Sequence, residues 1–137
     1  MTNGNDSPGN TPSAIAEKIR IFNQADFARL LGITIIEASE GYSKVTMETA
    51  GKANPDGVAH GGAIFALADQ AFGIAANCCG IHRAAVSASI QYLVPATGTL
   101  TAVARRVEDN GTCDTYRVMV YAGDRVVAEF TGVAFRT

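Results

Sequence analysis

Apolar positions along this chain change their spacing twice, and each change marks a different kind of element. Over residues 13–31, Ile15, Ile19, Phe22, Phe27, Leu30 and Leu31 recur at roughly helical intervals. Ser13 is a candidate N-cap for that helix, and Gly32 ends the run. Segments 33–38 and 43–49 then have strand character and are separated by Glu40-Gly41, which predicts a first hairpin. Asn54-Pro55-Asp56-Gly57 is a loop signature by its turn residues, and it delivers the chain into a long apolar helix starting at His60 or Gly61.

After Gly80 the apolar residues alternate over 84–94, 99–107, 112–122 and 126–135, which predicts four strands. The breaks between them are Pro95-Ala96-Thr97-Gly98, Asn110-Gly111 and Gly123-Asp124, with Asn110-Gly111 the strongest hairpin signal. No helix-length segment separates these strands, so antiparallel connections are expected. The predicted fold class is α+β, in the order helix, two strands, helix, four strands.

Ile64, Phe65, Leu67, Ala68, Phe72, Ile74 and Ala75 cover most of the circumference of the central helix. One antiparallel sheet leaves part of such a helix wet, and burial of apolar area favours covering the rest with a second copy of the chain. A homo-oligomer is therefore expected. The alternative is a monomer in which the N-terminal helix covers that face.

Length and charge narrow the functional classes. The chain has 137 residues and no internal repeat, and residues 13–137 read as one domain. Residues 1–12, rich in Asn, Gly, Ser, Thr and Pro, read as a disordered tail without the basic start and apolar run of a signal peptide. A formal charge of −2 and eleven scattered Lys and Arg give no footprint for nucleic acid. The run 61–79 raises the question of a membrane span, but Asp69 and Gln70 at its centre argue for a buried helix of a soluble protein. Three cysteines, Cys78, Cys79 and Cys113, form neither a disulfide framework nor a metal pair, so no metal is expected and the cytoplasm is the expected compartment.

Asp69 is the sole formal charge between Asp56 and Arg83. Burying an unpaired carboxylate costs several kcal/mol, on the order of the largest single-residue effects, so its presence in this segment demands a reason. Catalysis is one; a structural hydrogen bond to backbone or to Asn77 is the other.

Asn54-Pro55-Asp56-Gly57-Val58-Ala59-His60-Gly61-Gly62, then Phe65-Ala66-Leu67-Ala68-Asp69-Gln70-Ala71-Phe72 and Ala76-Asn77, resembles the hotdog-fold acyl-CoA thioesterases of the phenylacetate-degradation (PaaI-like) subfamily. Tyr92-Leu93-Val94-Pro95-Ala96 resembles the strand end that follows in that family, and the similarity covers about 26–136. The resemblance implies a sheet wrapped around one long helix and sites built between subunits of a homodimer or homotetramer. It implies hydrolysis of an acyl-CoA, of phenylacetyl-CoA-like aromatic or medium-chain type, without a cofactor. It matches Asp69 to the catalytic acid, Gly61 to the backbone donor that polarises the thioester carbonyl, and Asn54 to a polar residue of the same site. Some relatives place a serine or threonine on the strand after the helix; Ala85 falls in that register here, and Ser87 and Ser89, two and four residues on, are the candidate substrate-binding substitutes, with either or neither taking the role.

The residues fit that chemistry on their own terms. A thiol of pKa about 8.5 leaves readily, so a sparse site suffices. Two histidines and no Gly-x-Ser-x-Gly elbow disfavour a serine-histidine triad. If the helix starts near His60, the N–H groups of Gly61 and Gly62 are unpaired at its positive end and form a candidate oxyanion site, or else the two glycines merely permit tight helix entry. Asp69 lies eight residues beyond Gly61, about 12 Å along the helix at about 1.5 Å per residue. Both groups act on one carbonyl only if they come from different chains. Asp69 can activate water or attack directly; the sequence leaves both routes open. His60 reads as helix-entry scaffolding or a contact to substrate. Phe65, Leu67, Phe72 and Tyr92 line a pocket or the core, Cys78 and Cys79 read as small helix-end hydrophobes, and His82 is expected on the surface. Arg105-Arg106 divides between the two faces of a strand, with CoA phosphates one possible partner. Two other classes share the fold: a non-catalytic acyl-CoA-binding module, and a hydratase or dehydratase, which needs a general-base histidine at the acyl chain.

Overall fold

The computed structural model describes residues 8–137. A 3-10 turn, Pro8–Asn10, leads into α1 (Pro12–Asn23) and α2 (Asp26–Leu31), then β1 (Thr34–Ser39), β2 (Tyr42–Glu48), α3 (Gly61–Asn77), β3 (Arg83–Tyr92), β4 (Thr99–Asp109), β5 (Cys113–Ala122) and β6 (Arg125–Arg136). The six strands form one antiparallel sheet in the order β1-β2-β4-β5-β6-β3. α3 lies against one face of it, chiefly over β2, β4 and β5. This is the predicted α+β architecture.

The N-terminal run differs from the expectation in two ways. It is two helices, because Ala25 adopts an extended backbone (φ −60°, ψ 137°) between them, while Gly32 ends the second in the left-handed region at φ 68°. The N-cap is Thr11, whose hydroxyl accepts from Ala14 N–H at 3.2 Å, because Pro12 rather than Ser13 takes the first helical position, where a missing N–H costs nothing. Residues 8–12 of the expected tail are seated on the body. Asn10 donates to Glu40 at 2.9 Å, and Gly9 lies so close to the Gly80 backbone that a Cβ would stand 2.6 Å from its nitrogen. Residues 1–7 lie outside the described residues.

Leu67, Ala68, Ala71 and Ile74 of α3 are buried against Val45, Leu100, Ala102, Val118, Val120 and Phe130 of the sheet. Phe72 is wedged between Tyr116 and Phe130, with ring centroids 5.4 and 5.8 Å away. Opposite it stands Gly132, where an added Cβ would come within 2.8 Å of the Phe72 ring. With aromatic neighbours on both sides, that ring has little room to yield. Gly132→Ala is expected to destabilise the fold by about 1–3 kcal/mol, read as a lowered urea midpoint at unchanged slope.

At the far end of α3 the chain is pinned by charge. Asp114 is fully buried and meets Arg83 at 2.5 Å, Arg136 at 3.2 Å and Arg106 at 3.6 Å. Arg136 also pairs with Asp109 and Arg106 with Glu40, so three arginines face three carboxylates. Arg83 donates to the carbonyl of Ala76 at 2.8 Å, a cation on the negative end of the helix. Arg106 is thereby committed to structure, whereas Arg105 lies on the outer face over the ring of Tyr42 at 4.6 Å.

The two sheet edges are unlike. β1 is interrupted by a bulge between Ile35 and Glu37 and carries that glutamate, and α1 packs on it. β3 pairs with β6 alone, and residues 84–92 contain no charge and are mostly exposed, Val86 to 60%. On α3 a stripe stays uncovered as well: Gly62 and Asp69 are exposed, and Phe65, Ala66, Gln70 and Gly73 are half-buried. α1 does not close it.

Candidate active site at the start of the central helix

The loop 54–58 is built by Asn54. Its backbone exchanges bonds with the far side of the loop, Asn54 N–H to Val58 O at 2.7 Å and Gly57 N–H to Asn54 O at 3.0 Å. Its side-chain Oδ1 accepts from Asp56 N–H at 2.9 Å and Val58 N–H at 3.3 Å. The carboxamide oxygen is therefore spent on the turn, while the Nδ2 group has no acceptor among the described residues.

His60 caps α3. Its Nδ1 accepts from Gly62 N–H at 2.8 Å, which places the ring hydrogen on Nε2. The carbonyl of His60 accepts from Ala63 N–H at 2.9 Å and Ile64 N–H at 3.2 Å. Of the four first-turn amides of α3, three are thus satisfied within the chain, and only Gly61 N–H has no acceptor among the described residues. The expectation of two unpaired glycine amides is corrected to one, because the His60 ring folds back onto Gly62.

Gly61 opens into a cleft of about 390 Å³ shared with Asn54, Val58, Ile64, Tyr92, Val94 and Pro95. The walls are mainly apolar, while Asn54 supplies a polar group and Gly61 an unoccupied amide at the positive helix end. Tyr92 is the one of the four expected pocket residues that lines it. Leu67 and Phe72 are core, and Phe65 packs edge-on against Phe130 at 5.4 Å.

Asp69 is not in this cleft. It sits on the uncovered stripe with its side chain exposed and no hydrogen-bond or ion-pair partner among the described residues, Asn77 being engaged instead with the backbone of Arg83. The part of the carboxyl that the body of the chain shields from water is enough to raise its pKa above the ordinary aspartate value, and no donor opposes that shift.

Ser87 and Ser89 are not brought to the cleft either. A bulge between Ala85 and Ser87 reverses the alternation, so Ala85 pairs with the core residue Ala134, while Ser89 pairs with exposed Thr131. Ser89 lines a separate depression on the outer face with Gln91, Arg117, Glu129 and Thr131. Counting by twos from Ala85 put both serines on its face; one extra residue moves them to the other.

Cys78 and Cys79 are buried with their sulfurs 3.1 Å apart, and burial pushes both thiols up, away from the reactive thiolate. His82 is exposed, as expected. Among the described residues there is no cluster of three metal-ligating side chains, and no helix is long and apolar enough to cross a membrane.

Residues 56–129 match the thioesterase superfamily. The acyl-coenzyme A thioesterase PaaI of Escherichia coli strain K12 is 38% identical over 80% of this chain and 81% of its own. The structure of the E. coli PaaI protein from the phenylacetic acid degradation operon superposes with a TM-score of 0.83 at 32% identity, covering 93% of this chain and 96% of that one. Smu.793 from Streptococcus mutans UA159, solved bound to acetyl CoA, superposes at 0.71 with 32% identity over 77% of this chain and 88% of the other. By sequence and by fold, this chain belongs to the thioesterase superfamily, as a PaaI-like hotdog thioester hydrolase.

Proposed function

We propose that the chain hydrolyses acyl-CoA thioesters to free acid and CoA at sites formed between two copies of itself. The observation that carries this reading is at the start of α3, where Gly61 alone of the first-turn residues has an amide without an acceptor among the described residues and lines an apolar-walled cleft beside Asn54. An amide so placed stabilises a developing oxyanion without reorganising, an effect of about 3 kcal/mol for one donor. The acetyl-CoA-bound relative and the acyl-coenzyme A thioesterase relative support CoA as the thiol portion. The apolar wall of Val58, Ile64, Tyr92 and Val94 supports an aromatic or medium-chain acyl group.

In this mechanism the substrate carbonyl oxygen accepts from Gly61 N–H and the Asn54 carboxamide borders the same cleft. Asp69 of a second copy supplies the base or nucleophile, since the two groups are about 12 Å apart along one helix. The carboxylate takes a proton from water as the C–O bond forms, the C–S bond breaks, and the proton passes to the departing thiolate. Direct attack gives an acyl anhydride that water then opens, with the same products. Two features support the pairing of copies: the uncharged, unpaired β3 edge and the uncovered stripe that carries Asp69. His60 serves the helix rather than the acyl chain, which leaves a dehydratase without its base. The three free thiols support a reducing compartment such as the cytoplasm.

A panel of acetyl-, hexanoyl- and phenylacetyl-CoA followed with a thiol reagent tests this reading. Thiol release is expected from at least one of the two larger substrates at a kcat/KM at least about tenfold above acetyl-CoA. No thiol release from any of them overturns it.

A further inference from the structure

The ring of Tyr92 borders the acyl cleft, but its hydroxyl has no part in the mechanism above. Tyr92 is the last residue of β3, yet its hydroxyl crosses to α3 and donates to the carbonyl of Gly61 at 3.0 Å. The hydroxyl end of its ring comes so near Gly61 that a Cβ there would be 3.3 Å from Cζ and 3.4 Å from the hydroxyl oxygen. The other side of the same peptide is also held, because the following N–H, that of Gly62, donates to His60 Nδ1 at 2.8 Å.

We infer that Tyr92 is a positioning residue of the hydrolytic site: its hydroxyl and the His60 ring clamp the Gly61–Gly62 peptide, while the preceding peptide, which carries the free Gly61 amide, is held by its carbonyl on Ala63 and Ile64 N–H, so that Gly61 is fixed on both sides at the edge of the cleft. The inference rests on the proposed role of Gly61. Glycine at the helix start is otherwise the residue least able to keep one backbone orientation. A donor on its carbonyl and an acceptor on the next amide polarise the peptide in the same sense, so each bond strengthens the other. The ring does a second job: it crowds the space beside Gly61, where a Cβ would have to push it aside by a few tenths of an ångström and loosen its hydroxyl bond, while forming a wall of the cleft with Leu93, Val94 and Pro95. Tyr92 is 52% exposed in the single chain, so its stability contribution is small and its effect falls on the site.

The experiment uses the full chain. Tyr92→Phe keeps the ring and removes the hydroxyl, and it is expected to lower kcat about fivefold for every acyl-CoA turned over, with KM and melting temperature unchanged. Tyr92→Ala removes the obstruction, so the loss caused by Gly61→Ala is expected to be at least about threefold smaller in that background than in wild type. In amide hydrogen exchange followed by NMR, Gly62 is expected to exchange faster in Tyr92→Phe while amides in the last turns of α3 do not change. A lowered melting temperature with kcat intact, or Gly61 and Tyr92 losses that multiply independently, overturns the assignment. A wild type that hydrolyses no acyl-CoA overturns the hydrolytic reading instead. In that case the exchange of Gly62 still decides the clamp, and unchanged exchange overturns it.

Discussion

Asp69→Asn is expected to lower kcat by at least about a hundredfold while leaving the fold as stable as wild type or slightly more so. The kinetic half follows from the chemistry, since an amide neither takes a proton from water nor attacks a thioester. The stability half follows from the surroundings. The carboxylate makes no hydrogen bond or ion pair among the described residues, so nothing is lost when it becomes an amide. Burial raises its pKa, which means the folded chain keeps that proton to a higher pH than the unfolded chain does. Ionisation therefore weakens folding as pH rises from the ordinary aspartate value through the raised one. The variant should lack that fall in melting temperature, and wild-type kcat should rise with a midpoint above the ordinary aspartate value. Turnover by Asp69→Asn equal to wild type would remove the carboxylate from the mechanism, and a large drop in melting temperature would mean that a structural partner had been missed.

The second large effect is a restoration. Gly61→Pro abolishes the free amide, and Asp69→Ala abolishes the carboxylate, so each homogeneous protein is expected to be inactive. Unfolding the two together and refolding them in equal amounts should return about a quarter of wild-type activity. Half of the randomly formed pairs are mixed, and each mixed pair has one site with both groups intact and one with neither. Mixed pairs verified by differential tags that show no turnover would place both groups in one chain, against the separation of about 12 Å along α3.

The elements were legible in the sequence because their apolar spacing and turn residues agree. Asn110-Gly111, Gly123-Asp124 and the 54–57 loop all fall between elements where the structure has turns. Three features were not legible, and each depends on something that spacing does not encode. The break at Ala25 leaves the helical pattern of apolar residues almost intact on either side. The bulge at Val86 adds a residue without any glycine or proline to announce it, and so reversed the faces of Ser87 and Ser89. The Arg83–Asp114 pair joins residues thirty-one positions apart, and nothing in the spacing of the chain links the two. At the site, the motif pointed to Gly61, Gly62, His60 and Asn54 together. The structure divides their labour: His60 ties down Gly62, Asn54 ties down its loop, and Gly61 is left free. Tyr92 stood out only as an apolar ring, since its link to Gly61 crosses from strand to helix.

The inequality of the two sheet borders also limits how far assembly can proceed. Union through the bare border would use it up on both copies, and the borders then facing outward are the bulged, glutamate-bearing ones against which α1 packs. If copies unite as proposed, the ladder is extended once and halts at a closed particle, so overexpression is expected to yield finite species rather than fibres, as read by size-exclusion chromatography.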